Sequence, residues 1–103
     1  MLQPSWIELD AKALKKNIRY LQKRIGKDAE FTSVIKGNAY GHGIEEFTPL
    51  AESAGVRHFA VYDAYEAYRA LQVKRRDSHL IILGMLDDDQ MDWVIDQEIA
   101  FYI

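Results

Sequence analysis

Phe31-Thr32-Ser33-Val34-Ile35-Lys36-Gly37-Asn38-Ala39-Tyr40-Gly41-His42-Gly43 begins as an aromatic and β-branched run, stops at a lysine and becomes a glycine-rich loop. The run over 31–35 predicts a strand buried on both faces. Strand alternation puts Thr32, Val34 and Lys36 on one face and Phe31, Ser33 and Ile35 on the other. In parallel α/β folds the reactive residues lie where strands end and loops begin, and Lys36 holds that position.

Further strand and helix signals flank this stretch in alternation. Upstream, Trp6-Ile7-Glu8-Leu9 reads as a short strand and Asp10 as the N-cap of a helix. Ala11, Leu14, Ile18, Leu21 and Ile25 form its apolar stripe, lysines and arginines fill its other faces, and Gly26 ends it. Downstream, Ile44, Phe47, Leu50, Ala51 and Ala54 follow the helical period up to Gly55. Pro49 belongs in a first turn, so this helix is expected to begin near Thr48 or to be irregular before it. His58–Tyr62 is the next strand. Asp63 is spaced as a capping box with Glu66, ahead of a stripe of Ala64, Ala67, Tyr68 and Leu71.

Leu80–Leu83 is the clearest buried strand, broken by Gly84, and Asp87, Asp88 and Asp89 suit the positive end of a helix carrying Met91, Val94 and Ile95. Ile99–Ile103 is a final apolar strand. With strand centres about 20 to 25 residues apart, the order argues βα units on a parallel sheet. An apolar strand with nothing after it would leave an exposed edge, so the chain is expected to be a piece of something longer.

Composition narrows the function. Thirteen basic against sixteen acidic side chains leave a net charge of −3, which offers no general attraction to nucleic acid or anionic lipid. With no cysteine there is neither a disulfide framework nor a thiolate zinc site. The acidic triplet lacks the ligand spacing of a calcium loop, and no metal is implied. Met1-Leu2-Gln3-Pro4 lacks the basic and apolar regions of a secretory signal, and no apolar stretch could span a bilayer. The expected location is the cytoplasm.

A desolvated lysine at a barrel mouth can form an imine with an aldehyde. Pyridoxal phosphate brings that aldehyde and an electron sink. Tyr40 could donate to its phosphate, while Gly37, Gly41 and Gly43 allow close backbone approach. The plainer alternative stands beside this: an exposed edge lysine, turn-forming glycines, a packing tyrosine, and a His42 that bonds its own loop.

Lys36-Gly37-Asn38-Ala39-Tyr40-Gly41-His42-Gly43, preceded by Val34-Ile35, resembles the cofactor-attachment signature of alanine racemases. Trp6–Asp10, the helix containing Asn17, Ala54–Val61 and Leu80–Gly84 are similar to that family in order and spacing. The resemblance implies an α/β fold: residues 1–103 as the first βα units of a partial (β/α)8 TIM barrel that binds pyridoxal 5'-phosphate, without the remaining barrel or the C-terminal β domain. It implies a cytoplasmic, homodimeric parent isomerase that interconverts L- and D-alanine and supplies D-alanine for cell walls.

By the same resemblance Lys36 carries the cofactor as an aldimine and then acts as a base, Tyr40 contacts the phosphate, and Val34 and Leu83 lie near the cofactor ring. Gly37 departs from the family's more usual alanine. The second base, a tyrosine of the partner subunit, and the arginine facing the pyridine nitrogen have no counterpart here. One base works on only one face of the α-carbon, so these residues alone are expected to be inactive. A serine or broader racemase, a decarboxylase of the same fold, and a non-catalytic truncated barrel module remain alternatives.

Overall fold

A computed structural model describes residues 3–103. Met1 and Leu2, part of the stretch read above as unlike a secretory signal, lie outside the described residues. The elements are α1 (Ala11–Ile25), β1 (Thr32–Val34), α2 (Lys36–Tyr40), α3 (Ile44–Ser53), β2 (His58–Val61), α4 (Ala64–Leu71), β3 (His79–Ile82), α5 (Asp88–Asp96) and β4 (Ala100–Phe101). All three strand pairings are parallel, and the spatial order β1-β2-β3-β4 is the chain order. Each strand is added beside the one before it, as in one arc of a βα-barrel.

Alternation along the strands divides the sheet into a packed face and an open one. Ile35, Phe59, Val61, Leu80 and Ile82 are buried against the helices together with Ile44, Ala51, Val56, Ala67 and Val94. Each large apolar side chain that leaves water completely contributes about 1.5–3 kcal/mol. On the opposite face the register aligns Val34 with Ala60, and Ala60 with Ile81. Val34 is 39% exposed there, so β1 is covered on one face and not, as expected above, on both.

The helices start where local chemistry provides a cap. Asp10 accepts from the Ala13 N–H at 3.0 Å, and Gly26 closes α1 at φ 86°. Of the stripe predicted for α1, only Ile18 is fully buried, and Leu21 and Ile25 stay half-exposed. Asp63 caps α4 by accepting from the Glu66 N–H at 2.9 Å. The buried stripe of α4 consists of Ala64, Ala67 and Ala70, and Tyr68, expected to pack, is exposed. Asp87 precedes α5 and donates its N–H to Gln90 Oε1 at 3.3 Å.

Other expectations are corrected. Trp6–Leu9 forms no strand. A strand needs a partner ladder, and β1 pairs only with β2 among the described residues; Trp6 is 70% exposed and donates locally to Glu8. Helix α3 starts at Ile44, well before Thr48, and contains Pro49. The exposed proline leaves the Glu45 carbonyl without its helical donor, while Asn38 Oδ1 accepts from the Ile44 N–H at 3.0 Å and anchors the first turn. The last strand pairs over Ala100–Phe101 only, with Ile99 buried and Tyr102 and Ile103 exposed. Among the described residues no helix is long and apolar enough to cross a membrane.

Candidate active site

Strand β1 delivers Lys36 to the carboxyl end of the sheet, and the chain then coils the unusual way. Gly37, Asn38 and Ala39 have φ of 63°, 55° and 55° and ψ between 41° and 47°, and Tyr40 follows with φ 54°. This is one turn of left-handed helix. The Ala39 N–H donates to the Ile35 carbonyl at 2.8 Å, the Gly41 N–H to Gly37 at 3.1 Å, and the Gly43 N–H to Asn38 at 2.9 Å.

Such a turn costs about 1–2 kcal/mol for each residue with a Cβ, so Ala39 and Tyr40 are held there by their surroundings. Asparagine tolerates the conformation better because its short polar side chain bonds locally. A Cβ placed on Gly37 would meet no atom within 4 Å, so at that position only the backbone conformation opposes alanine.

The surroundings that hold the turn are polar. The Asn38 N–H donates to Glu66 Oε2 at 2.8 Å, and the Tyr62 N–H donates to Glu66 Oε1 at 2.9 Å. One buried carboxylate therefore joins the turn to the end of β2. Arg69 donates through Nη2 to Asn38 Oδ1 at 2.6 Å, and through Nε and Nη2 to the two carboxylate oxygens of Glu45 at 2.7 Å each. The fork suits a planar guanidinium. Its hydrogen bonds hold the Glu45 carboxyl below its ordinary pKa and raise that of Arg69, against the opposing effect of partial burial.

Lys36, Gly37, Tyr40, Tyr62, Tyr65 and Arg69 surround a cleft of about 480 Å³, with Asp63 and Glu66 in its wall. Lys36 is exposed to solvent, and the Tyr40 ring is 65% exposed. Two of the expected site residues thus meet in one cleft. Val34 and Leu83 do not line it: Val34 lies one pleat below Lys36, and extending the strand register puts Leu83, 36% exposed, in the row of Lys36 and Tyr62.

His42 turns away, its Nδ1 donating to the Ala39 carbonyl at 2.9 Å, and lines a separate groove with Leu9, Asn17 and Phe47. Sequence reasoning missed Tyr62, Tyr65, Glu66 and Arg69. Tyr62 stands at a strand end, as Lys36 does, and could have been found by the same rule; Tyr65 and Arg69 carry no such signal. Among the described residues no cluster could hold a metal ion.

A sequentially ordered parallel sheet, helices on its packed face and a lysine–tyrosine cleft at its carboxyl end define a segment of a βα-barrel with an accessible amine at the mouth. The chain belongs to the family described as alanine racemase, N-terminal domain, whose model matches residues 9–103.

It is 35% identical over 82 residues to the alanine racemase of Listeria monocytogenes serotype 4a (strain HCC23), covering 80% of this chain and 22% of that relative. The crystal structure of alanine racemase from Bacillus anthracis with bound L-Ala-P superposes with a TM-score of 0.90 at 25% identity, over 100% of this chain and 26% of that one. Alanine racemase from Bartonella henselae, solved with covalently bound pyridoxal phosphate, gives 0.81 at 27% identity over 89% and 26%. The chain therefore spans about a quarter of the length of the relatives it matches.

Proposed function

We propose that this chain is the amino-terminal part of the cofactor-binding barrel of a pyridoxal phosphate-dependent alanine racemase. The observation that carries the reading is an accessible lysine at the end of a barrel strand, sharing a cleft with the Tyr40 phenol in a chain of this family. The cleft fits the cofactor's chemistry. Lys36 offers a primary amine, Tyr40 a phenolic donor for a phosphate, and Tyr62 and Tyr65 aromatic walls. Val34 and Leu83 provide apolar surface on the same face of the sheet.

When bound, the cofactor supplies an electron sink for negative charge at the α-carbon of an amino acid. The residues of this chain hold and move protons. Lys36 Nζ would hold the group covalently and, once displaced from it by the amino group of the incoming substrate, would be free to take or return the α-proton on one face of alanine. Tyr40 Oη would hold the phosphate end from the same cleft as Lys36 Nζ. Inversion needs a second base on the opposite face, which the full-length enzyme supplies from a partner subunit. A cytoplasmic homodimer acting on a small amino acid completes the reading.

The test mixes the protein with pyridoxal phosphate, follows visible absorbance, reduces with borohydride and maps the adduct by intact and peptide mass, with Lys36→Ala alongside. The expected result is a reduced adduct confined to Lys36 and absent from the variant. Label spread over the lysines of α1 and unchanged in the variant would overturn the assignment of Lys36.

A further inference from the structure

The geometry points to Glu66 and Arg69 as positioning residues that hold the left-handed turn closed and thereby set the placement of Lys36 relative to Tyr40. Neither residue belongs to the signature stretch. Both come from α4, whose N-terminus begins just beyond β2, so the turn is held by the neighbouring βα unit and not by its own.

Three observations support this. First, Ala39 and Tyr40 occupy a backbone region that L-residues with a Cβ leave unless held, and the bonds internal to the turn also exist in right-handed coiling and so do not select its hand. Second, Glu66 is only 9% exposed, and its carboxylate accepts through both oxygens from backbone N–H groups, those of Asn38 and Tyr62. Such charge-assisted bonds are shorter and stronger than neutral ones, and a missing acceptor would leave two half-buried donors without a partner. Third, Asn38 Oδ1 receives Arg69 on one side and the first N–H of α3 on the other. Glu45 in turn holds Arg69 from α3, so α3 and α4 both restrain the turn.

The chain leaves β1 at Lys36, and Tyr40 lies at the far end of the same turn. If the turn relaxed to right-handed or irregular coil, Tyr40 would swing relative to the strand end while the sheet below stayed intact. The predicted effect on Lys36 chemistry rests on the function proposed above; the effect on the turn does not.

The experiment compares the 103-residue chain with Glu66→Gln, which keeps one acceptor oxygen and replaces the other with a donor, and with Arg69→Gln, on the more exposed partner. Amide hydrogen exchange is read at Asn38, Ala39, Gly41 and Gly43, with Phe59, Val61 and Leu80 as controls for the sheet. The fraction of borohydride-trapped pyridoxal phosphate label on Lys36 is measured in parallel.

Both variants are expected to speed exchange in the turn by tenfold or more, leave the sheet amides within twofold, and lower the Lys36 share of label severalfold. Unchanged turn protection in either variant, with the sheet protected, would overturn the proposal. Should Glu66→Gln unfold the sheet as well, the decision passes to Arg69→Gln, which leaves the Glu66 carboxylate in place. If the turn opens but the wild-type protein never favours Lys36 for label, the positioning inference stands and the reading of Lys36 fails.

Discussion

Replacing Asn38 separates the handedness of the turn from the bonds that hold it. Its side-chain oxygen accepts from Arg69 at 2.6 Å and from the Ile44 N–H at 3.0 Å, and its φ is 55°. Loss of a bond to a charged donor costs about 1.5–3 kcal/mol and of a neutral one about 1 kcal/mol, so Asn38→Gly should destabilise the protein by about 2.5–4 kcal/mol. Asn38→Ala loses the same bonds and adds about 1–2 kcal/mol of left-handed strain, offset by about 0.4–1 kcal/mol because alanine restricts the unfolded chain more than glycine does.

The glycine variant should therefore be the more stable of the two by about 1 kcal/mol. In a right-handed helix the order is reversed by about the same amount. Urea unfolding of both variants, followed by circular dichroism under one set of conditions, measures the difference. An Asn38→Ala variant as stable as Asn38→Gly, or more stable, would refute the left-handed turn and the strain argument built on it.

The remaining predictions are narrower. Gly84→Ala should destabilise by about 1–3 kcal/mol and lower the melting temperature by several degrees, because its Cβ would lie 2.5 Å from the Tyr62 carbonyl oxygen, a backbone atom that cannot step aside. Thr48→Val should be neutral or stabilising by up to about 1 kcal/mol in the same melt, since the buried Thr48 Oγ1 has no hydrogen-bond partner among the described residues and the exchange conserves shape.

Glu45 has its pKa lowered in the folded protein, so its pairing with Arg69 stabilises at pH values above the ordinary carboxylate pKa and is lost as pH falls through the lower folded value. Its carboxylate is partly exposed, so the contribution is small, about 1 kcal/mol or less. Stability curves of the wild type and Glu45→Gln should accordingly differ near neutrality and converge in acid; curves that stay parallel throughout would disprove the linkage.

Much of this architecture was legible because apolar runs and their spacing specify it. His58–Val61 and His79–Ile82 lie where β-branched and aromatic runs predict strands, and Asp10 and Asp63 cap the helices they precede. Lys36 and Tyr40 were singled out through a contiguous signature, and the fold places them in one cleft. What was missed depends on tertiary partners. Trp6–Leu9 has the composition of a strand but no partner in the described sheet. Glu66 has the spacing of a residue that bonds back to its own N-cap, yet its oxygens reach Tyr62 and Asn38. The left-handed turn contradicts the preferences of Ala39 and Tyr40, so no local pattern announces it; only flanking Gly37, Gly41 and Gly43 hint that the chain bends unusually there.

The agreement between spatial and chain order in the sheet bears on how the molecule is assembled. Among the described residues each strand after the first finds its partner in the unit made just before it, so none of these three pairings waits for a distant segment and each spans a connection of similar, modest length. A chain emerging residue by residue during synthesis can dock each βα unit as it appears, with Phe59 and Val61 available as a template before Leu80 and Ile82 are made. The Glu66 carboxylate arrives with the second of these units, so its hydrogen bonds to the turn carrying Lys36 and to the end of β2 can form only once that unit has been made.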